Sequence, residues 1–154
     1  MSHYEIISVI LSSMSIIIAL FAFASARSAA KSASASIEFS TYNAITSAKK
    51  QIMDCSESME LLLVKDQLSA DEKNLLDIRK ERFNVAIENY LNSYQEGCAK
   101  YRDNKIDRTR FRKTYFFEIQ KIVENKNYKE YFNPVTSKYK DILKVYDEWF
   151  YQEK

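Results

Sequence analysis

The chain has 154 residues, with 23 lysines and arginines against 21 aspartates and glutamates, so its net charge is about +2. This length suits one domain, and a charge this close to neutral favours neither a nucleic-acid binder nor an acidic partner surface. The single glycine excludes a glycine-rich nucleotide loop and argues against a β-sandwich or barrel. The single histidine, His3, removes most metal sites and most histidine-based catalysis. The composition therefore predicts long helices.

The first predicted element is an uncharged run over residues 6–26. As an α-helix this run would be roughly 31 Å long, which is close to the hydrocarbon thickness of a bilayer. The serines within it can donate hydrogen bonds to carbonyl groups one turn earlier, so they do not oppose insertion. The run therefore predicts a transmembrane helix.

A cleavable signal peptide is the alternative interpretation of the same run. Ala24, Ser25 and Ala26 match the small-residue pattern of a cleavage site. Residues 1–5 contain no lysine or arginine, however, and the run exceeds the usual signal-peptide core of about 7–15 residues. These two features favour an uncleaved anchor.

The flanking charges predict an orientation. Arg27 and Lys31 follow the run and nothing basic precedes it, so the N-terminus is expected outside and the rest of the chain in the cytoplasm, at the inner membrane. Cys55 and Cys98 are expected as small apolar side chains in a reducing compartment. Antiparallel helices joined near residue 68 would hold these cysteines roughly 24 Å apart, too far for a disulfide.

After the run, residues 27–66 predict a long juxtamembrane helix. They are rich in alanine and serine at the start and contain neither glycine nor proline. This helix is expected to continue the transmembrane helix, with or without a soft joint over residues 27–36. Its apolar residues alternate spacings of three and four, which indicates a side that faces a core; they are Ile45, Ala48, Ile52, Cys55, Met59 and Leu62.

Residues 67–154 predict an aromatic-rich helical domain. A capping box of Ser69 and Glu72 begins a helix over about 70–102, and Asp107 caps another over about 108–125. An irregular connection then leads past Pro134 to a last helix over about 136–152. Gly97 weakens the helix around it and so predicts a close contact. The predicted core residues are Leu76, Phe83, Ile87, Tyr90, Leu91, Tyr94, Cys98, Tyr101, Phe111, Tyr115, Ile119, Ile122, Tyr139, Ile142, Leu143, Tyr146, Trp149 and Phe150.

Together these elements predict an all-α protein. Residues 1–26 form a short external N-terminus and a transmembrane helix, which continues into the long helix 27–66 and a small cytoplasmic bundle over 67–154.

Two surface patterns are candidate binding sites. A basic run would suit the phosphates of anionic lipid or nucleic acid, although we favour a simple solvated face; it comprises Lys100, Arg102, Lys105, Arg108, Arg110, Arg112 and Lys113. A series of small residues spaced by four and three would let helices approach closely in lipid and so predicts self-association; its central members are Ser15, Ala19, Ala22, Ala26, Ala29 and Ala33.

The sequence predicts no catalytic residues. The two cysteines have no histidine on their own side of the membrane, and no histidine–cysteine cluster suits zinc. Adjacent carboxylates such as Asp147 and Glu148 point in different directions on a helix. We therefore expect no enzyme activity, no cofactor and no bound metal.

Three stretches carry a resemblance to a known group of proteins. They are residues 27–36 after the transmembrane run, residues 83–115 with their Asn89–Tyr94 core and the Lys105, Ile106, Asp107 turn, and the aromatic residues 142–149. In this layout, over about half its length, the chain resembles an uncharacterised group of small bacterial and phage-encoded single-pass membrane proteins with a C-terminal helical domain. The resemblance implies a fold and a location, and it implies no activity and no functional residues.

The leading functional hypothesis is a membrane-anchored, non-enzymatic interaction or regulatory module. By analogy of size and layout, such a module would be an accessory to a bacterial defence or phage-exclusion system. The alternative is a membrane-tethered sensor of nucleic acid or anionic lipid that uses the basic run 100–113. The expected partners are the membrane, a second copy through the transmembrane helix and an unidentified protein, with nucleic acid less favoured.

Overall fold

The computed structural model of the chain describes residues 3–65, 67–133 and 135–151. In this part the chain is mostly helical and has no strand, so the predicted all-α class is confirmed. The elements are α1 (His3–Leu63), α2 (Ala70–Arg102), α3 (Arg108–Glu124), a 3₁₀ helix (Lys126–Phe132) and α4 (Lys140–Phe150).

The chain divides into two compact units, Met1–Ser36 and Ile37–Lys154, here called the N-terminal and C-terminal units. The second half of α1 belongs to the same compact unit as the aromatic helices, and the boundary predicted at residues 66–67 stays a prediction. α1 runs from His3 to Leu63 and contributes to both units.

The N-terminal unit is a helix whose large apolar side chains are exposed; the described ones include Leu11, Met14, Ile16, Ile17, Ile18, Leu20, Phe21 and Phe23. The hydroxyl of Ser15 donates to the carbonyl oxygen of Leu11 at 3.0 Å, which is the intrahelical bond expected of serines in this run. An exposed apolar surface of this extent is typical of a site that contacts a protein, a ligand or a membrane. By length and composition α1 could cross a membrane.

Two helices of the C-terminal unit, α2 and α3, begin at the capping residues that the sequence predicted. Ser69 and Glu72 form the capping box of α2, and Asp107 accepts from the backbone N–H of Arg110 to cap α3. Hydrogen bonds from the Lys65 ammonium and the Ser69 amide lower the pKa of Glu72 to about 2. The irregular connection expected before Pro134 is largely the 3₁₀ helix, and Asn133 has the extended backbone expected of a residue before proline.

α2 lies at the centre of the C-terminal unit, where it contacts α3 and α4. All the predicted core residues of α2, α3 and α4 are buried or half-buried. The rings of Phe111 and Tyr115 are 4.8 Å apart and those of Tyr101 and Trp149 are 5.4 Å apart, which are favourable spacings for aromatic pairs. The aromatic-rich segment therefore forms the packed core that the sequence predicted.

α1 runs antiparallel to α2 within this unit. Arg79 donates to the carbonyl oxygen of Ser58, and Asn89 donates to Gln51 at 3.3 Å, so residues later in α2 meet residues earlier in α1. The predicted stripe on α1 faces this contact, and all six of its members are buried or half-buried.

Gly97 lies at a close contact between helices, as predicted. A Cβ atom at this position would come within 3.2 Å of both the Phe111 ring and the methyl group of Thr41. Both neighbours are buried, and the Thr41 hydroxyl is held by the carbonyl oxygen of Ile37 at 2.8 Å. The glycine therefore lets α1, α2 and α3 approach one another at this level.

α4 begins at Lys140, four residues later than predicted, and the predicted end at residue 152 lies outside the described residues. The preceding residue, Tyr139, caps the helix without a side-chain hydrogen bond. Instead the side-chain oxygen of Gln95 on α2 accepts from the amides of Asp141 and Ile142, at 3.0 and 3.2 Å. The cap of α4 is thus supplied by another helix.

Candidate functional site

The basic run surrounds the junction of α2 and α3. Lys100 and Arg102 lie in the last turn of α2, Lys105 lies in the connection, and the other four lie in the first turns of α3. This junction adjoins the first residues of the C-terminal unit, because Glu38 accepts from the amide of Asp107 and from the Arg110 guanidinium, both at 2.8 Å.

Most of the run is paired with carboxylates inside the unit. Three of these pairs join elements far apart in sequence: Arg102 with Asp141, Arg108 with Glu148, and Arg110 with Glu38. Two are local, since Lys100 meets Glu96 at 2.7 Å and Lys105 meets Asp103 at 2.9 Å. These pairs are largely exposed, so each contributes about 0–1 kcal/mol to stability. They nevertheless reduce the positive field that the linear sequence suggests.

The Tyr101 hydroxyl is the centre of one such arrangement. It donates to Glu148 at 2.7 Å and accepts from the Trp149 indole N–H at 3.0 Å and from Arg108 at 3.1 Å. The guanidinium of Arg108 also lies 4.5 Å from the centre of the Tyr101 ring, and its hydrogen bond to the hydroxyl raises the pKa of Arg108. Arg108 therefore joins α2, α3 and α4.

Lys113 is exposed on the side of α3 that faces away from the core, whereas its neighbour Arg112 is half-buried. The Arg112 guanidinium is 5.7 Å from the centre of the Phe116 ring. An open depression of about 470 Å³ adjoins them. Its lining is formed by Thr109, Arg112, Lys113, Phe116 and Phe117. Within the run, Lys113 therefore lies beside the exposed ring of Phe117, away from the pairs at the junction.

A half-buried polar contact at Glu118 was not predicted from the sequence. Its carboxylate accepts from the hydroxyl of Tyr94 and from the ammonium of Lys49, which joins α1, α2 and α3. Burial raises the pKa of Tyr94, and it raises those of Tyr90 and Tyr115 to about 12. No local motif marks this arrangement, because its members lie 24 and 69 positions apart.

The small-residue series lies in the N-terminal unit, and Ser15, Ala19, Ala22, Ala26, Ala29 and Ala33 are all exposed. These side chains therefore line an accessible face of the helix.

The cysteines and the acidic residues form no reactive cluster in the described chain. Cys55 and Cys98 are free thiols, and burial raises the pKa of Cys98. Among the described residues no group of three histidine, cysteine, aspartate or glutamate side chains is placed to hold a metal ion.

Comparison with known proteins gives no match: no family model, no curated protein and no solved structure is similar to this chain.

Proposed function

We propose that the protein is a membrane-anchored, non-enzymatic interaction or regulatory module. The observation that supports this most is the contrast between its units. In the first, the described apolar side chains are exposed along a helix long enough to cross a bilayer. In the second, aromatic side chains pack into a closed core. A bilayer would cover the first surface, and the second unit would then be held beside it.

The flanking charges support a cytoplasmic C-terminal unit at a bacterial inner membrane. Arg27 and Lys31 follow the apolar run, and no lysine or arginine precedes it. The free thiols of Cys55 and Cys98 suit a reducing compartment. In this location a small anchored module would serve as an accessory to a defence or phage-exclusion system, a role proposed from size and layout alone.

Topology is tested with reporters fused after Lys154. A reporter that is active only in the cytoplasm should be active, and one that requires the periplasm should be silent. The opposite pattern would overturn the orientation. Sequencing of the mature N-terminus provides a control, because a chain that starts at Arg27 would establish a cleaved signal peptide instead.

The interaction surface can be tested around the α1–α2 turn, where large apolar side chains are exposed: Leu61, Leu63, Val64, Leu75 and Ile78. If this surface binds a protein, Leu61→Lys combined with Val64→Lys should remove a species that copurifies with the tagged wild type from detergent. Val85→Lys, at an exposed apolar residue on α2, is the matched control and should retain that species. Equal recovery from all three proteins would exclude this surface.

A membrane-tethered sensor of nucleic acid or anionic lipid is the second candidate function. It is favoured by Lys113, which is exposed and lines an open depression together with the exposed ring of Phe117. Replacement of Lys113 by alanine should lower any phosphate affinity and flatten its salt dependence, because fewer counterions are released on binding.

A further inference from the structure

The outer face of α3 combines positive charge with an exposed aromatic ring. Its members are three or four positions apart and so lie on one side of the helix; they are Arg110, Lys113, Thr114, Phe117 and Lys121. All five are exposed, and Phe117 exposes 69% of its surface. The opposite side of α3, which carries Phe111, Tyr115, Ile119 and Ile122, faces the core.

This outer face contains no acidic residue over three turns. Between Arg108 and Lys121 the one acidic residue is Glu118, which turns toward α1 and α2, where it accepts from Lys49 and Tyr94. Its negative charge is thus engaged by Lys49 where α3 meets α1 and α2, and on the outer face Glu38 pairs with Arg110.

Two of its three cations are unpaired. Arg110 is bound to Glu38, whereas in the described part of the chain Lys113 and Lys121 make no ion pair. They lie one turn before and one turn after Phe117, so the ring is placed between two ammonium groups. The depression that Lys113 and Phe117 help to line lies beside the same face.

We infer that the outer face of α3 docks on an anionic membrane surface, where Lys113 and Lys121 meet lipid phosphates and Phe117 enters the layer beneath them. Cations near an anionic leaflet are attracted to it, and an aromatic ring gains by leaving water for the boundary of the acyl chains. This inference rests on the proposed function, since the anchor would keep the bilayer at a high local concentration. A nucleic acid would meet the same lysines, but it has no continuous apolar layer below its phosphates to accept the ring.

The test uses the full-length chain in vesicles of brominated phosphatidylcholine, with or without brominated phosphatidylglycerol. Bromine quenches an indole that enters the lipid, so Phe117→Trp should be quenched strongly in the anionic vesicles and weakly in the neutral ones. The wild type gives the contribution of the buried Trp149. Val85→Trp, on α2 and 58% exposed in the wild type, is the matched control and should stay unquenched.

Charge variants in the Phe117→Trp background test the two lysines. Replacement of Lys113 or Lys121 by alanine should lower the ratio of docked to undocked protein about 5-fold each. Lys73→Ala, at an exposed lysine on α2, should leave the ratio unchanged. An increase in salt from about 0.1 M to 1 M shortens the screening length from roughly 10 Å to 3 Å. It should therefore detach the outer face of α3 from the anionic vesicles.

The outcomes separate this inference from the proposed anchor. A chain that resists alkaline carbonate extraction but shows no quenching, or quenching that ignores the lysines and the lipid charge, overturns docking and leaves the anchor standing. If carbonate extracts the chain, the proposed anchor is wrong. Docking of the peripherally bound chain is then judged by the same quenching measurement. If an added oligonucleotide releases the indole from anionic vesicles, nucleic acid rather than lipid is the ligand of this face, and the inference is wrong.

Discussion

Gln95 offers the sharpest test of how the C-terminal unit is held together. α4 begins at Lys140 with no side-chain cap of its own, and the Gln95 oxygen accepts from the amides of Asp141 and Ile142. The Gln95 amide group also donates to the Asp141 carboxylate at 2.6 Å. Methionine has a similar shape but makes none of these bonds, so Gln95→Met removes the cap while largely retaining the packing.

The expected loss of unfolding free energy in Gln95→Met follows from these contacts. Loss of a side-chain cap costs about 1 kcal/mol, and loss of a hydrogen bond to a carboxylate adds a similar amount here because Arg102 still holds Asp141. We therefore expect the free energy of unfolding to fall by about 2 kcal/mol, which for a unit of this size lowers Tm by roughly 8 °C. Near-UV circular dichroism and Trp149 fluorescence in detergent would follow the transition.

Gln120→Met is the matched control. Gln120 is half-buried on α3 and donates only to Glu124, one turn along the same helix, at 3.2 Å. Its replacement should change the free energy of unfolding by no more than about 0.5 kcal/mol. If Gln95→Met were no more destabilising than Gln120→Met, the cap supplied by α2 would not contribute to stability and the reasoning would fail.

Three further predictions concern other parts of the chain. Gly97→Ala should lower the free energy of unfolding by about 1 kcal/mol, because overpacking outweighs the gain in helix propensity; an unchanged urea midpoint would show that the neighbours can move. The free energy of unfolding should decline from pH 10 to about 12, since the unfolded chain loses protons that Tyr90 and Tyr115 retain when folded, and absorbance titration should show this delay. Replacement of Ala22 and Ala26 by leucine should weaken self-association in membranes; unchanged cross-linking yields would contradict it.

Local sequence signals predicted most of this fold because each acts within one or two turns. The capping box at Ser69 and the cap at Asp107 fix the starts of α2 and α3 to within a residue. The three-and-four spacing of apolar residues identifies the sides that face the core. The start of α4 was misplaced because its cap comes from Gln95, which lies 46 positions from Asp141, and no local pattern shows that contact.

The candidate site was less predictable for the same reason. The basic run is evident in the sequence, but three of the carboxylates that pair with it are supplied by α1 and α4. Arg110 and Glu38 are 72 positions apart, and Arg108 and Glu148 are 40 apart. The sequence therefore overstates the charge at the junction of α2 and α3. The sequence alone does not show that Lys113 and Lys121 differ from the paired cations. That difference depends on Glu118, which contacts Lys49 on α1 and Tyr94 on α2 instead of these lysines.

The burial of Cys98 has a practical consequence for work in native membranes. Its side chain is fully buried on α2, so an alkylating reagent can reach the thiol only when the C-terminal unit opens. With the half-buried Cys55 replaced by alanine, the rate of alkylation at Cys98 would report that opening in the intact bilayer, without purification or denaturant. A bound partner would slow the reaction, so alkylation would reveal an association too weak to survive extraction in detergent.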